Sequence, residues 1–320
     1  MNEALPLGRL VLCVEYDGAA FCGWQRQVAP TPSPAHRDAE GGVPYGHSSA
    51  HAELVEAPQV GEGKECADLN QKRYSRSSVQ EALETALAAV TDVPVRVTAA
   101  GRTDAGVHAS AQVAHFDAPV ARPLTAWVRG VNAHLSPTVA VRWAQPVAGD
   151  FHARFSATAR HYTYWLLNRP ERPGLWAGRV GWHHRPLDVA AMAAAARHWI
   201  GAHDFSSFRA AQCQAKSPVK SLTDFSVTQH GAFVRFACSG NAFLHHMVRN
   251  MVGALLWVGI GKRPPEWAAE LLEARDRTQA APTFMADGLY LTGISYDERF
   301  GLPSTRRDVC IFDGDGRELT

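Results

Sequence analysis

Hydrophobic and polar positions follow regular periods over most of this chain, and the periods mark its elements. Residues 9–16, RLVLCVEY, are apolar at nearly every position, as in a strand buried on both faces, and the YDG that follows supplies turn chemistry. Ser78 with Glu81 three residues on forms a capping box that opens SVQEALETALAAV, whose Val79, Leu83, Leu87 and Val90 line one helical face. Strand patterns follow at 95–101 and 112–116, then a helical stretch around 124–135 and a strand at 139–143. The order is β-α-β-β-α-β.

A second series begins with the alternating run ATARHYTYWLLN at 157–168. It continues with an Ala-rich helix over 187–200, strands at 219–227 and 233–239, and a helix over 245–258. An additional helix at 265–274 and a strand at 288–296 close the set. The two series share element order but not sequence. They predict an α+β fold of two related halves whose strands form a continuous mixed, mostly antiparallel sheet with flanking helices and a central cleft, the default place for a site. The expected division is an N-terminal half over 1–147, a C-terminal half over 148–303 and a tail over 304–320. Within the first half, residues 28–76 carry five prolines, five glycines and no helical or alternating period, and read as a loop or disordered insert.

Composition narrows the class. With 320 residues and 46% hydrophobic positions the chain can bury a sizeable core. The longest apolar run, 251–261, is half the roughly 20 residues a membrane span needs. Six scattered cysteines without a Cys-x-x-Cys pair, and no apolar leader before the first strand, point to a reduced, cytoplasmic protein. The net charge of +1 is an average over unlike parts. The insert holds 5 basic and 7 acidic residues and the tail from Asp308 holds 1 and 4, leaving a body of 26 basic and 20 acidic residues, or +6. A basic body suits a nucleic-acid partner.

The densest polar cluster is AAGRTDAGVHA at 99–109, a glycine-flanked loop after a strand that presents Arg102 and Asp104 together. It lacks a Walker lysine pattern and a dinucleotide glycine fingerprint. Asp104 can be an Asx-turn residue, a metal ligand with His108, or a nucleophile or general base beside Arg102. No cysteine or histidine pair stands at ligand spacing near it, which argues against a metal. Arg249 follows His245 and His246 on an otherwise apolar helix, where an unpaired arginine is costly, so it calls for a carboxylate partner. The histidine pair itself has a metal reading and a polar-network reading, the second favoured because no complementary ligand set is evident. Residues 142–165 interleave Arg142, Arg154 and Arg160 with Trp143, Phe151, Phe155, Tyr162 and Tyr164, a mixture that suits RNA backbone and bases or an ordinary amphipathic strand pair.

GRTDAGVHA resembles the signature of the tRNA pseudouridine synthase A family. The likeness extends to VEYDGAAFCGWQRQ at 14–27, SVQEALETAL at 78–87, DFHARFSATARHYTY at 150–164, DFSSFRAAQCQ at 204–214, NAFLHHMVRNMVG at 241–253 and GLYL at 288–291. The resemblance implies that Asp104 is the catalytic nucleophile, that Arg102 beside it helps extrude or hold the target nucleotide, that Tyr162 stacks on the uracil and that Arg249 pairs with the carboxylate. It implies RNA contacts by segments 151–155, with Phe151, His152, Arg154 and Phe155, and 212–216, with Gln212 and Lys216. It further implies a homodimer that converts uridine to pseudouridine at nucleotides 38, 39 and 40 of the tRNA anticodon stem-loop, without cofactor or metal.

Overall fold

The alternation read from the sequence becomes one ten-stranded sheet. The computed structural model describes residues 7–26 and 77–309; the whole segment read as an insert, 28–76, lies outside them, and so does the end of the tail from 310. The described residues all belong to one compact unit. The strands are β1 Arg9–Tyr16, β2 Thr98–Ala99, β3 His108–Asp117, β4 Val139–Val147, β5 Ala157–Asn168, β6 Gly181–His183, β7 Gly201–Asp204, β8 Val219–His230, β9 Phe233–Gly240 and β10 Leu289–Tyr296. The helices are α1 Val79–Thr91, α2 Val131–His134, α3 Val189–Arg197, α4 Met247–Gly259 and α5 Trp267–Ala274.

The strand order is β4-β1-β3-β10-β5-β9-β8-β7, with β2 on β3 and β6 on β5. All pairings are antiparallel except β3 with β10 and β5 with β6. β10, far along the chain, thus lies between strands of the two halves: Leu291 is opposite Ala109 on one side and Tyr162 on the other. One core packs α1 against β1 and β3; another packs α3, α4 and α5 against β5, β8 and β9. Tyr162 touches both cores. Residues 301–309 are tied across the centre: Thr305 Oγ1 accepts from the Ile294 N–H, the Arg307 N–H donates to Thr292 O, and Trp165 Nε1 donates to Val309 O. The start of the expected tail is therefore hydrogen-bonded to the sheet without adding a strand to it.

Two of the expected elements differ from the expectation, and the short strands β6 and β7 were not among those expected. Of 95–101 only Thr98–Ala99 is strand, because helix α1 supplies the earlier backbone partners: the Val97 N–H donates to Glu84 Oε1 at 3.1 Å and Val97 O accepts from Gln80 Nε2 at 3.4 Å. The stretch 124–135 is a π-helical turn, Ala126–Gly130, running into the single-turn α2, with Trp127 buried beneath it. No helix among the described residues is long and apolar enough to cross a membrane.

Candidate active site

Asp104 sits on the loop between β2 and β3, and the loop is built to hold it. The Val107 N–H closes a turn on Asp104 O at 3.1 Å, with Gly106 at a φ of 79°. The 17–24 segment braces it from outside: the Trp24 N–H donates to Thr103 O at 3.0 Å, and the Tyr16 and Thr103 hydroxyls share a 2.8 Å hydrogen bond. Gly23 is required there twice over, since its φ is +106° and a Cβ would lie 2.8 Å from Thr103 O.

Helix α4 and the two residues before it bring three side chains onto this carboxylate. Arg249 donates from a terminal guanidinium nitrogen to Asp104 Oδ2 at 3.0 Å, His245 Nε2 is 3.2 Å from Oδ1, and His246 Nε2 is 3.4 Å from Oδ2. The Asp104 side chain is 20% exposed and that of Arg249 14%, so the pair is partly desolvated yet open to a substrate. Arg249 is fixed from behind as well, its Nε donating to Phe284 O at 2.9 Å. His246 caps the helix with a left-handed φ of 61°, a conformation that costs a non-glycine residue about 1–2 kcal/mol and recurs at functional sites.

Burial alone would push Asp104 toward the neutral acid. The hydrogen bond from His245 and the positive charge of Arg249 overcome it and hold the carboxyl at about 2. Its partners are driven apart: the Asp104 hydrogen bond raises His245 against the opposing effect of burial, whereas burial, with Arg249 and His245, lowers His246 to about 4. At neutral pH the site therefore presents an ionised carboxylate and a neutral His246.

The two histidines complete a ligand set that the sequence did not reveal. Asp104, His245 and His246 place ligand atoms within 4.8 Å of one another, the one such trio among the described residues. Arg249 on Oδ2 sets a positive charge against any metal there, and the histidine pair forms a polar network around the acid. His108, the other candidate metal partner, is buried and serves the scaffold. Its Nδ1 lies 3.0 Å from the Gly18 nitrogen and 3.1 Å from Asp17 Oδ1, and its Nε2 faces the carbonyls of Gly178 and Asp287 at 3.0 and 3.1 Å, so both ring nitrogens are engaged within the protein. His115 likewise accepts from the Ala153 N–H.

The remaining expected residues divide. Tyr162 is partly buried, edge-on to Phe243 with ring centres 5.0 Å apart, and burial, with a contribution from the Asp104 charge, raises its phenol. Tyr164 is fully buried and donates to Met285 O at 3.0 Å, a packing residue. Phe151 is also fully buried, against Tyr296, Phe300 and His115, so its ring serves the core rather than a surface. His152 and Phe155 stack outward from it with centres 4.3 Å apart, Phe155 is 76% exposed, and Arg154 lies 5.7 Å over its ring. Gln212 and Lys216 are exposed. It is Gln214 between them whose Oε1 meets a guanidinium nitrogen of Arg102, at 3.5 Å. Arg160 spends its donors on the carbonyls of Ala100, Arg154, Ala157 and Asn241, which makes it a staple between loops.

A family model described as tRNA pseudouridine synthase matches residues 62–156 and 195–297, blocks that hold Asp104, Arg102 and Arg249 but not Tyr162. The chain is 60% identical over 238 residues to tRNA pseudouridine synthase A of Dechloromonas aromatica, covering 74% of this chain and 91% of that one. It is 48% identical over 303 residues to tRNA pseudouridine synthase A of Methylobacillus flagellatus, covering 95% and 98%. The corresponding protein of Chromobacterium violaceum is 50% identical over 297 residues, covering 92% and 96%.

Proposed function

The chain belongs to the tRNA pseudouridine synthase family, a family of isomerases, and from that premise we propose that it acts on uridines 38, 39 and 40 of the tRNA anticodon stem-loop with Asp104 as its nucleophile. The observation that carries this reading is the Asp104 carboxylate, held ionised by Arg249 and His245 at the junction of the two halves. Uridine and pseudouridine contain the same atoms. The N1–C1′ bond breaks, the uracil turns, and a C5–C1′ bond forms as C5 loses a proton and N1 gains one. No electrons are exchanged with a second reactant, so the chemistry calls for neither cofactor nor metal. It does call for an anionic group at the sugar or base, and a carboxylate at about 2 is fully available at neutral pH.

The target base must leave its stack at a cost of a few kcal/mol, and an aromatic face returns about 1–3 kcal/mol. Tyr162, partly exposed on the central strand beside β10, is suited to receive it. Arg102, exposed next to Asp104, holds the extruded nucleotide. The RNA-facing surface includes the His152–Arg154–Phe155 protrusion, seated on the buried Phe151, and Gln212 and Lys216 across the site. The working unit is a cytoplasmic homodimer, its chains organised as halves 1–147 and 148–303 with a tail from 304.

The test is to map pseudouridine in tRNA from cells lacking the protein, complemented with wild type or with Asp104→Asn. Wild type should restore the modification at 38–40 and the variant should not. Full restoration by the variant would overturn the role of Asp104, and restoration at other positions would overturn the substrate assignment.

A further inference from the structure

Behind Arg249 lies a second arginine that the site does not itself use. Asn250, the next residue of α4, is fully buried, and its side-chain amide is fixed by donating to Phe208 O at 2.8 Å. Its Oδ1 accepts from Thr283 Oγ1 at 2.7 Å and from a guanidinium nitrogen of Arg277 at 3.1 Å. The same Arg277 nitrogen is 3.2 Å from Thr283 Oγ1, so arginine, threonine and asparagine form a closed triangle. The residue after Thr283 is Phe284, whose carbonyl receives Arg249 Nε and whose N–H donates to Arg249 O at 3.3 Å.

We propose that Arg277 is a positioning residue for the reaction, clamping the 283–284 segment to the first turns of α4 so that the Phe284 carbonyl aims the Arg249 guanidinium at Asp104. The inference rests on the reading of Asp104 as the reacting carboxylate. A guanidinium is planar, and two of its nitrogens held at once leave it one orientation; Arg249 is held through Nε by Phe284 and through a terminal nitrogen by Asp104. Removal of the Nε acceptor leaves the single contact to Asp104, about which the guanidinium can turn. Thr283 and Asn250 alone are joined by one hydrogen bond, and Arg277 adds the two contacts that close the triangle. Arg277 is also half-buried and among the charges that keep His246 neutral, a second route from the same residue to the site.

Arg277→Gln in the full chain should lower kcat for pseudouridine formation by about 10–100-fold, the cost of a misplaced reacting group, with KM for tRNA changed less than about threefold. Arg277→Lys, which places a single point charge where a fork was, should recover only part of that loss. Because both act through one guanidinium, Arg277→Gln added to Arg249→Lys should cost little beyond Arg249→Lys alone. A readout independent of activity is the Arg249 Nε–H signal in nitrogen-proton NMR, assigned by its loss in Arg249→Lys; its slow exchange should vanish in Arg277→Gln. If kcat stays near wild type, if the two losses multiply, or if the Nε–H stays protected, the proposal is wrong. Should Arg277→Gln not fold, Thr283→Val decides by the same measurements, because it cuts the link between Asn250 and the segment while leaving Arg277 in place. Wild-type protein that forms no pseudouridine would refute the functional reading alone, and the exchange measurement would still test the clamp.

Discussion

Replacement of Arg249 by methionine separates two roles that the ion pair combines. The guanidinium lies 3.0 Å from Asp104 Oδ2 with both side chains mostly out of water. At an effective dielectric near 20, opposite charges about 4 Å apart attract by roughly 4 kcal/mol, and an adjacent cation ordinarily lowers a carboxyl by roughly 1–3 pH units. Arg249→Met should therefore lift Asp104 from about 2 to between roughly 3 and 5, with His245 still in place. Even at the upper end the carboxyl is about 99% ionised at pH 7. A loss of rate at pH 7 then reports lost geometry rather than lost charge, and we expect about 100-fold. The assay is single-turnover release of tritium from C5 of labelled uridine in tRNA, run from pH 4.5 to 9. Wild type should show no carboxyl-linked acid limb in that range, and the variant should show one near its lower end. A variant as fast as wild type at pH 7 would remove positioning from the role of Arg249. A slow variant without any acid limb would limit the lift of Asp104 to less than about 2 pH units and refute the upper part of that range.

Two further outcomes follow from the same structure. His245 is raised in the folded protein by Asp104, so its stabilising contribution is complete below the unfolded value near 6.5 and is lost as pH rises through the folded value. His245→Gln should therefore destabilise the protein at pH 5.5 and leave it nearly unchanged at pH 9 in urea titrations; because the ring is partly solvated the effect is below about 1 kcal/mol, and equal losses at both pH values would contradict the assignment. Residues flanking the 28–76 segment meet directly, with the Cys22 N–H 3.2 Å from Ser77 O and the Arg26 N–H 3.4 Å from Gln80 Oε1. Replacing 30–73 by a short glycine-serine linker should leave pseudouridine formation nearly intact and stability equal or about 1–2 kcal/mol higher, since each halving of a loop lowers its closure cost by about 0.6 kcal/mol; a collapse of activity would assign the segment a part in catalysis.

Periodicity carried far in this chain. The bounds of β1 and β5 coincide with apolar and alternating runs, and the Ser78 hydroxyl does accept from the Glu81 N–H. It failed where side chains replaced a strand partner, as at Val97, and where the pattern was right but the neighbour was not expressed in it. Nothing in LYLTGISY states that β10 enters between β3 and β5, because strand order is decided by the whole packing. The apolar surroundings of Arg249 called for a carboxylate, and Asp104 is that carboxylate. The convergence of His245 and His246 on the same acid was not legible, since they are some 140 residues away along the chain and their spacing matches no ligand motif. Arg277 and Thr283 gave no signal at all, being an ordinary cation and hydroxyl in a loop until the fold closes them on Asn250.

The central place of β10 orders events during synthesis. When a ribosome has made everything up to residue 288, β2 covers β3 at Ala114 and His115 and β6 covers β5 from Leu166 to Asn168, but the remainder of each of those edges waits for the strand that joins them. The two halves can form their separate helix-backed cores, but the loop bearing Asp104 gains its neighbour on that side only when Tyr290 and Leu291 pair with His108 and Ala109. The site is thus among the last things to be assembled, and an arrested or truncated chain ending before β10 holds two partly uncovered sheet edges, a template for association with other chains rather than a slow enzyme.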